Sequence, residues 1–230
     1  TPGGSAWWAD YNNGIRGYEG DVVMPAAVIG SNPGERVAGT DAIILSGARG
    51  TQLAVTEHEH AATPAQFKVS ETNHGIQDND IMLVCDLEYK QASIFQVTSA
   101  NQNNRTLAHD INVSHVYKAN SVLARFRSTA WFVGCNGRFD CGRPEGRSLF
   151  KSENGVTDEV VDLVTDMQLQ YLDDAGAAYV DASAVADWSS IIAVQATLTL
   201  GRSQNINNPA AEPPITRSIT HTVALRNRLP

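Results

Sequence analysis

Residues 192–200 read Ile-Ala-Val-Gln-Ala-Thr-Leu-Thr-Leu, and their apolar and mostly polar side chains alternate. A repeat of two residues is the signature of a β-strand that buries one face and exposes the other. The same alternation returns near the end of the chain in Ile219, Val223 and Leu225. We therefore expect strands in both segments.

Other short apolar runs bounded by turn residues extend this pattern along the chain, at residues 42–46, 81–85, 93–98, 122–133 and 148–151. They are rich in the β-branched and aromatic residues that strands favour. One helix is expected near residues 158–165, because Val160, Val164 and Met167 follow helical spacing and Thr157 stands where a cap would. The sequence thus predicts a mainly β fold of antiparallel sheets with one short helix. We find no linker or repeat, so residues 1–230 are expected to form a single domain.

The composition argues against a disordered chain and a nucleic-acid-binding protein. The 230 residues are 42% hydrophobic and 18% charged, and the net charge is −8. A disordered chain carries more charge and less apolar surface, so a folded core is expected. An acidic chain lacks the positive charge that supplies most nucleic-acid affinity, so no nucleic-acid partner is expected. No run reaches the roughly 18–20 apolar residues that span a membrane.

Two of the three cysteines, Cys135 and Cys141, flank the turn signal Asn136-Gly137. A turn there can bring them within disulfide distance. A structural disulfide is the favoured interpretation, and free thiols or a metal-binding pair are the alternatives. A disulfide implies a location outside the cytoplasm. Cys85 lies in an apolar run, either as a small buried hydrophobic residue or as a cysteine whose partner lies outside this sequence.

The usual catalytic motifs are missing from the sequence. It has no Gly-x-Ser-x-Gly elbow, no His-Glu-x-x-His helix and no phosphate-binding glycine loop. Ser148 and Lys151 have the spacing of a Ser-x-x-Lys pair, but on a strand their side chains face opposite sides. We therefore expect no enzymatic activity and no cofactor.

Three clusters are candidates for ligand binding. His58 and His60 would share one face of a strand, although the sequence shows no third metal ligand; incidental histidines in an exposed loop are the alternative. Residues 78–80 and 173–174 offer acidic oxygens for Ca²⁺, but they match no EF-hand loop and are also typical of turns. The cysteine loop contains a group of arginines that is either a basic patch or a solvated surface: Arg138, Arg143 and Arg147.

Several short motifs occur in a characteristic order. Gly39-Thr40-Asp41 precedes an apolar strand, and Cys85-Asp86 is followed by the aromatic strand at residues 92–98. Residues 147–150 are followed by the segment 160–171, which ends in Met-Gln-x-x-Tyr. The C-terminal motif Leu225-Arg226-Asn227 is the most specific. Together these motifs, over residues 40–230, resemble the PilW-type minor pilins of bacterial type IV pili.

The resemblance implies an α+β pilin-like head whose N-terminal transmembrane and filament-core helix is missing, with a remnant of that helix or a loop at the start. It implies a role in priming pilus assembly within a tip complex of minor pilins and an adhesin. The location implied is an inner-membrane-anchored periplasmic head, later extracellular at the pilus tip. It also gives structural roles to five motif residues: Cys85, Asp86, Leu225, Arg226 and Asn227. Arg226 and Asn227 are expected to hydrogen-bond inside the head from the last strand.

Three other functions remain as alternatives. The first is a J-type pseudopilin of type II secretion, which shares the pilin structural superfamily. The second is a carbohydrate-binding adhesin, which would need an exposed aromatic platform such as Trp131 or Trp188. The third is a hydrolase, which would need a concave pocket with a positioned nucleophile and base.

Overall fold

The computed structural model describes residues 6–9, 14–109, 113, 115–176, 178–205 and 212–225. These residues form twelve strands and three short 3₁₀ turns, at Trp7–Ala9, Pro144–Gly146 and Ala182–Ala184. The strands are β1 Ile15–Tyr18, β2 Ala42–Glu59, β3 Ala65–Val69, β4 Ile81–Asp86, β5 Gln91–Asn101, β6 Thr106–His109, β7 Val122–Cys135, β8 Arg147–Glu153, β9 Val156–Asp162, β10 Val164–Asp173, β11 Ile191–Arg202 and β12 Ile215–Ala224.

The chain divides into two compact units. The first contains Thr1–Tyr11 and Ser46–Ser128, and the second contains Asn12–Leu45 and Thr129–Pro230. Two long strands, β2 and β7, therefore contribute residues to both units. Every strand pair described in either unit is antiparallel, as expected for strands that follow one another through short connections.

The first unit is a closed sheet. Its strands follow the order β2-β3-β6-β5-β4-β7, and β7 pairs again with β2. Alternate residues of each strand point inward, as the burial pattern of β4 shows at Met82, Val84 and Asp86. The interior is filled mainly by aliphatic and aromatic side chains, among them Phe67, Phe95, Val97, Leu107, Tyr117 and Leu123.

The second unit contains the three-stranded sheet β10-β11-β12 and the ladder formed by β8, β9 and the end of β7. One hydrophobic core joins side chains of both sheets, including Val133, Leu149, Met167, Leu169, Tyr171, Ile191 and Val194. Residues 192–200, which the alternation of side chains predicted to be a strand, form most of β11 at the centre of its sheet. The apolar face of β11 is the face that meets this core.

The prediction of a helix near residues 158–165 is wrong, and so is the prediction of an α+β pilin-like head. Residues Val156–Asp162 form β9, which pairs with β8 through the two-residue turn Asn154-Gly155. Leu163 adopts a positive φ of 61°, and there the chain passes from β9 into β10. Among the residues that the structure describes there is no α-helix.

At the start of the chain, the expected remnant of a long helix is also not found in the described residues. Trp7–Ala9 form one 3₁₀ turn, in which Trp7 and Trp8 make an edge-to-face contact. The described part of the chain contains no helix that is long and apolar enough to cross a membrane.

Candidate functional site

A disulfide closes the loop that the sequence singled out. Cys135 ends β7 and is bonded to Cys141, with their Cα atoms 5.3 Å apart. Gly137 turns the chain with a φ of 74°, which glycine adopts without steric cost. The side-chain amide of Asn136 donates to the carbonyl of Glu145 at 2.8 Å and to Oγ of Ser148 at 3.1 Å. The loop is thus held at both ends by β7 and β8.

The arginines of this loop are engaged within the protein. Arg138 makes two hydrogen bonds of 2.6 Å to the Glu159 carboxylate. Arg147 donates to the carbonyls of Cys141 and Thr165, at 2.8 and 3.1 Å. Their contacts favour a role in fixing the loop over one as a basic binding patch.

The largest fully buried side chain of the second unit is one that sequence reasoning missed. Arg36 is completely buried, and its guanidinium donates to the main-chain carbonyls of Tyr18, Gly20, Val22 and Thr40. Burial lowers the pKa of this guanidinium, while the nearby carboxylates oppose that change. Arg36 therefore holds the irregular segment after β1 against the start of β2.

Asp41 continues this buried network and explains the Gly39-Thr40-Asp41 motif. Its carboxylate accepts hydrogen bonds from the N–H groups of Gly20 and Leu169, both at 2.8 Å. Burial raises the pKa of Asp41, against the effect of these hydrogen bonds and of Arg36. The motif thus ties β1, β2 and β10 together, which is a structural role.

The Cys85-Asp86 motif ends β4 in the first unit. Cys85 is a half-buried free thiol whose pKa is raised by burial. Asp86 is buried, and it accepts hydrogen bonds from the N–H groups of Glu88 and Tyr89 at 3.0 and 3.2 Å. Burial raises the pKa of Asp86, but these hydrogen bonds and the contact with His115 lower it by more, so the pKa lies below its usual value. Asp86 therefore stabilises the turn between β4 and β5.

Three histidines meet among aromatic side chains of the first unit. The rings of His58 and His60 lie 5.2 Å apart, and the ring of His109 lies 5.5 Å from that of His58. His58 also stacks on Phe67 at 4.1 Å. Only His58 and His60 were candidates from the sequence, because His109 lies on β6 and approaches them only through the folded sheet.

The hydrogen bonding of His58 argues against a metal at this cluster. The N–H of Tyr117 donates to Nδ1 of His58 at 3.1 Å, so the neutral ring carries its proton on Nε2. A neutral histidine ligand needs a free lone pair on the nitrogen that faces the metal. The one free lone pair of the ring, on Nδ1, is therefore already used, and among the described residues no group of three or more potential ligands could hold a metal ion.

The acidic turns that were considered for Ca²⁺ are occupied by hydrogen bonds of the protein. Asp78 accepts from the N–H of Ala100 at 2.7 Å, and Asp80 accepts from Arg125 at 2.9 Å. Asp173 accepts from the N–H of Ala175 at 3.1 Å. These contacts are the ordinary use of aspartate in turns.

The aromatic residues considered for an adhesin do not form an exposed platform. Trp188 is buried at 5% exposure and packs edge-to-face on Tyr171, with the ring centres 4.8 Å apart. Trp131 is half-buried and packs against the core of the second unit.

The Ser148 and Lys151 pair does not form a nucleophilic site. Ser148 is buried and donates to the Glu159 carboxylate at 2.6 Å, while Lys151 pairs with Glu153 at 2.7 Å. A shallow depression of about 220 Å³ in the second unit is lined by Gly142, Pro144, Arg147, Thr165, Pro214 and Thr216. Those lining residues include no thiol, imidazole or carboxylate.

The C-terminal motif is described only at its first residue. Leu225 packs against the core of the second unit, and its N–H donates to the carbonyl of Ile192 at 2.7 Å. Arg226 and Asn227 lie outside the described residues, so their expected hydrogen bonds stay a prediction.

Two sheet edges of the second unit are exposed along their whole length. Every residue of β12 is exposed, and β12 ends its sheet with an unbroken ten-residue register against β11. Every residue of β9 is exposed too, at the end of the other sheet. An edge strand offers main-chain N–H and C=O groups to another strand, and β12 is the less protected of the two, because β9 contains three carboxylates and a register shift. These edges are the best candidate for a functional surface.

No protein-family model matches this chain, and the search of curated proteins found no match either.

Proposed function

We propose that this chain is a non-catalytic assembly subunit of the minor-pilin kind, which helps to prime a type IV pilus through contacts with sibling subunits. The observation that carries the proposal is the exposed edge of β12. Natural proteins usually protect a long edge strand with a proline, a bulge or several charges. β12 has an unbroken register and includes one residue of permanent charge, Arg217.

The composition of β12 also suits a partner strand. Ile215, Ile219 and Val223 are each more than half exposed, and they alternate with hydroxyl residues such as Thr220 and Thr222. A strand added at this edge gains main-chain hydrogen bonds and buries these apolar side chains. The disulfide supports a location outside the cytoplasm. The periplasm, and then the pilus tip, are the locations that the proposed function implies.

The family assignment within this proposal rests on the sequence motifs, since the fold contains no helix in its described part. Gly39-Thr40-Asp41 and Cys85-Asp86 have structural roles here, which agrees with motifs that maintain a head rather than a catalytic site.

The test is co-purification of the chain with the pilin-like proteins encoded beside its gene, combined with a count of surface filaments in a deletion strain. We expect a defined complex with at least one sibling and a loss of filaments that the wild-type gene restores. A chain that binds none of these siblings, in a strain with normal filaments, would contradict the proposal.

A further inference from the structure

We propose that β12 of one copy of this chain pairs with β9 of a second copy, so that copies associate head to tail through their two exposed edges. This inference rests on the proposed assembly function and names a partner for that same surface. It follows from the match between the side chains of the two strands.

The first component of the match is the apolar and charged pattern. In β9, Val156 and Asp158 occupy alternate positions before the register shift at Val160. In β12, Arg217 and Ile219 also occupy alternate positions. An antiparallel pairing that sets Asp158 opposite Arg217 also sets Val156 opposite Ile219.

The apolar residues of this pairing are open to a partner. Val156 is 63% exposed and Ile219 is 51% exposed. Cross-strand pairs of β-branched residues and of opposite charges each stabilise a sheet, by roughly 0.2–1 kcal/mol in general. The pairing would thus cover apolar surface on both copies.

The charged members are also available. Within the described part of the chain, neither Asp158 nor Arg217 forms an ion pair. Lys151 lies opposite Asp158 on the neighbouring strand β8, but its ammonium group is paired with the Glu153 carboxylate at 2.7 Å. A carboxylate and a guanidinium that meet at the centre of the new ladder would set its register.

The main-chain groups point the right way for this register. Leu225 donates to Ile192, so the hydrogen-bonded positions of β12 facing β11 are the odd-numbered ones. Even-numbered positions such as Thr216 and Ser218 therefore direct their N–H and C=O groups to the free edge. On β9 the two-residue turn at Asn154-Gly155 makes Val156 and Asp158 face β8, which leaves Thr157 and Glu159 facing outward. The proposed register joins Thr157 to Ser218 and Glu159 to Thr216.

Because the two surfaces differ, the contact is heterologous and repeats from copy to copy as an open chain or a ring. A contact of about five residues on each strand is small, so association of the isolated chain is expected only at high concentration, on the order of 0.1–1 mM.

The test is sedimentation of the whole chain over a range of concentrations, with charge-reversal variants. We expect Asp158→Arg and Arg217→Asp each to weaken self-association on the order of tenfold or more, because like charges then meet at the centre of the ladder. An equimolar mixture of the two variants should associate again, since each junction then joins opposite charges. The chain that carries both substitutions should also recover. Asp162→Arg on β9 and Arg202→Asp on β11 are the matched controls, and circular dichroism confirms folding.

A wild-type chain that stays monomeric over this range would overturn the inference, whereas the proposed function would still stand or fall with the sibling proteins. Self-association of Asp158→Arg at wild-type strength would overturn it as well, because it would show pairing that does not use β9.

Discussion

The main-chain N–H of Tyr117 donates a hydrogen bond of 3.1 Å to Nδ1 of His58, and this contact fixes a buried histidine in its neutral form. His58 is 8% exposed, so an added proton would be poorly solvated. Burial, followed by the neighbouring His109, His60 and His115, lowers the pKa of His58 to about 4. The first unit is therefore built around a histidine that must remain uncharged.

We predict that His58 makes the stability of the protein depend on pH between 6.5 and about 4. In this window the unfolded chain binds the proton and the folded chain does not, so stability is full above pH 6.5 and falls as the pH decreases. The loss should reach about 3 kcal/mol near pH 4. Urea denaturation at several pH values measures it.

The control for this prediction is His58→Gln, which removes the titrating ring and keeps an acceptor for Tyr117. Its stability should change less across the same window than that of the wild type. His221→Gln, at an exposed position of β12, should behave as the wild type does. Equal slopes for wild type and His58→Gln would contradict the assignment.

Arg36 is predicted to be the most sensitive charged position of the second unit. Arg36→Met removes the donors of four main-chain carbonyls and leaves Asp41 buried without its positive neighbour. Such a loss costs about 3 kcal/mol or more. Lysine has no planar fork of donors, so Arg36→Lys should also be destabilising. Denaturation against the exposed control Arg202→Met checks this, and equal effects at both positions would refute it.

The disulfide predicts a definite thiol count. Under non-reducing denaturing conditions only Cys85 should react, and after reduction all three cysteines should. Replacement of Cys135 and Cys141 by alanine should lower the free energy of unfolding by about 2 kcal/mol, because a short loop is no longer closed in the unfolded chain. Three reactive thiols before reduction would rule out the disulfide.

The strands could be predicted from the sequence because alternation is a local signal. Residues 192–200 alternate, and they form most of β11. The helix prediction failed where a bulge disturbs that signal. Val164 and Met167 are three residues apart and would face opposite sides of a regular strand, but the register shifts between Val164 and Asp166 so that both reach the core. A bulge therefore imitated helical spacing.

The buried polar groups could not be predicted, because their partners are distant in the sequence. Arginine is rarely buried, and three of the four carbonyls that accept hydrogen bonds from Arg36, those of Gly20, Val22 and Thr40, lie on irregular segments that no periodicity reveals. His109 lies 51 positions after His58 in the sequence. The two rings come close because β2 and β6, which carry them, both pair with β3 in the folded sheet. The exposure of β12 likewise depends on which strand ends the sheet, and its alternation alone predicted a half-buried strand.

Proline substitutions in β12 should distinguish the main-chain N–H groups that face the free edge from those that bond to β11. Thr220 directs its N–H to the free edge, whereas the N–H of His221 bonds to β11. Thr220→Pro should therefore cost little stability, since proline is tolerated on the outer side of an edge strand. It should nevertheless abolish binding to sibling subunits, because it removes a donor and inserts a ring at the docking edge.

His221→Pro should destabilise the sheet itself, and Thr220→Val controls for the lost hydroxyl contact with Thr197. Binding and urea denaturation measured on the same samples decide the outcome, and a Thr220→Pro variant that binds as tightly as the wild type would exclude β12 as the docking strand.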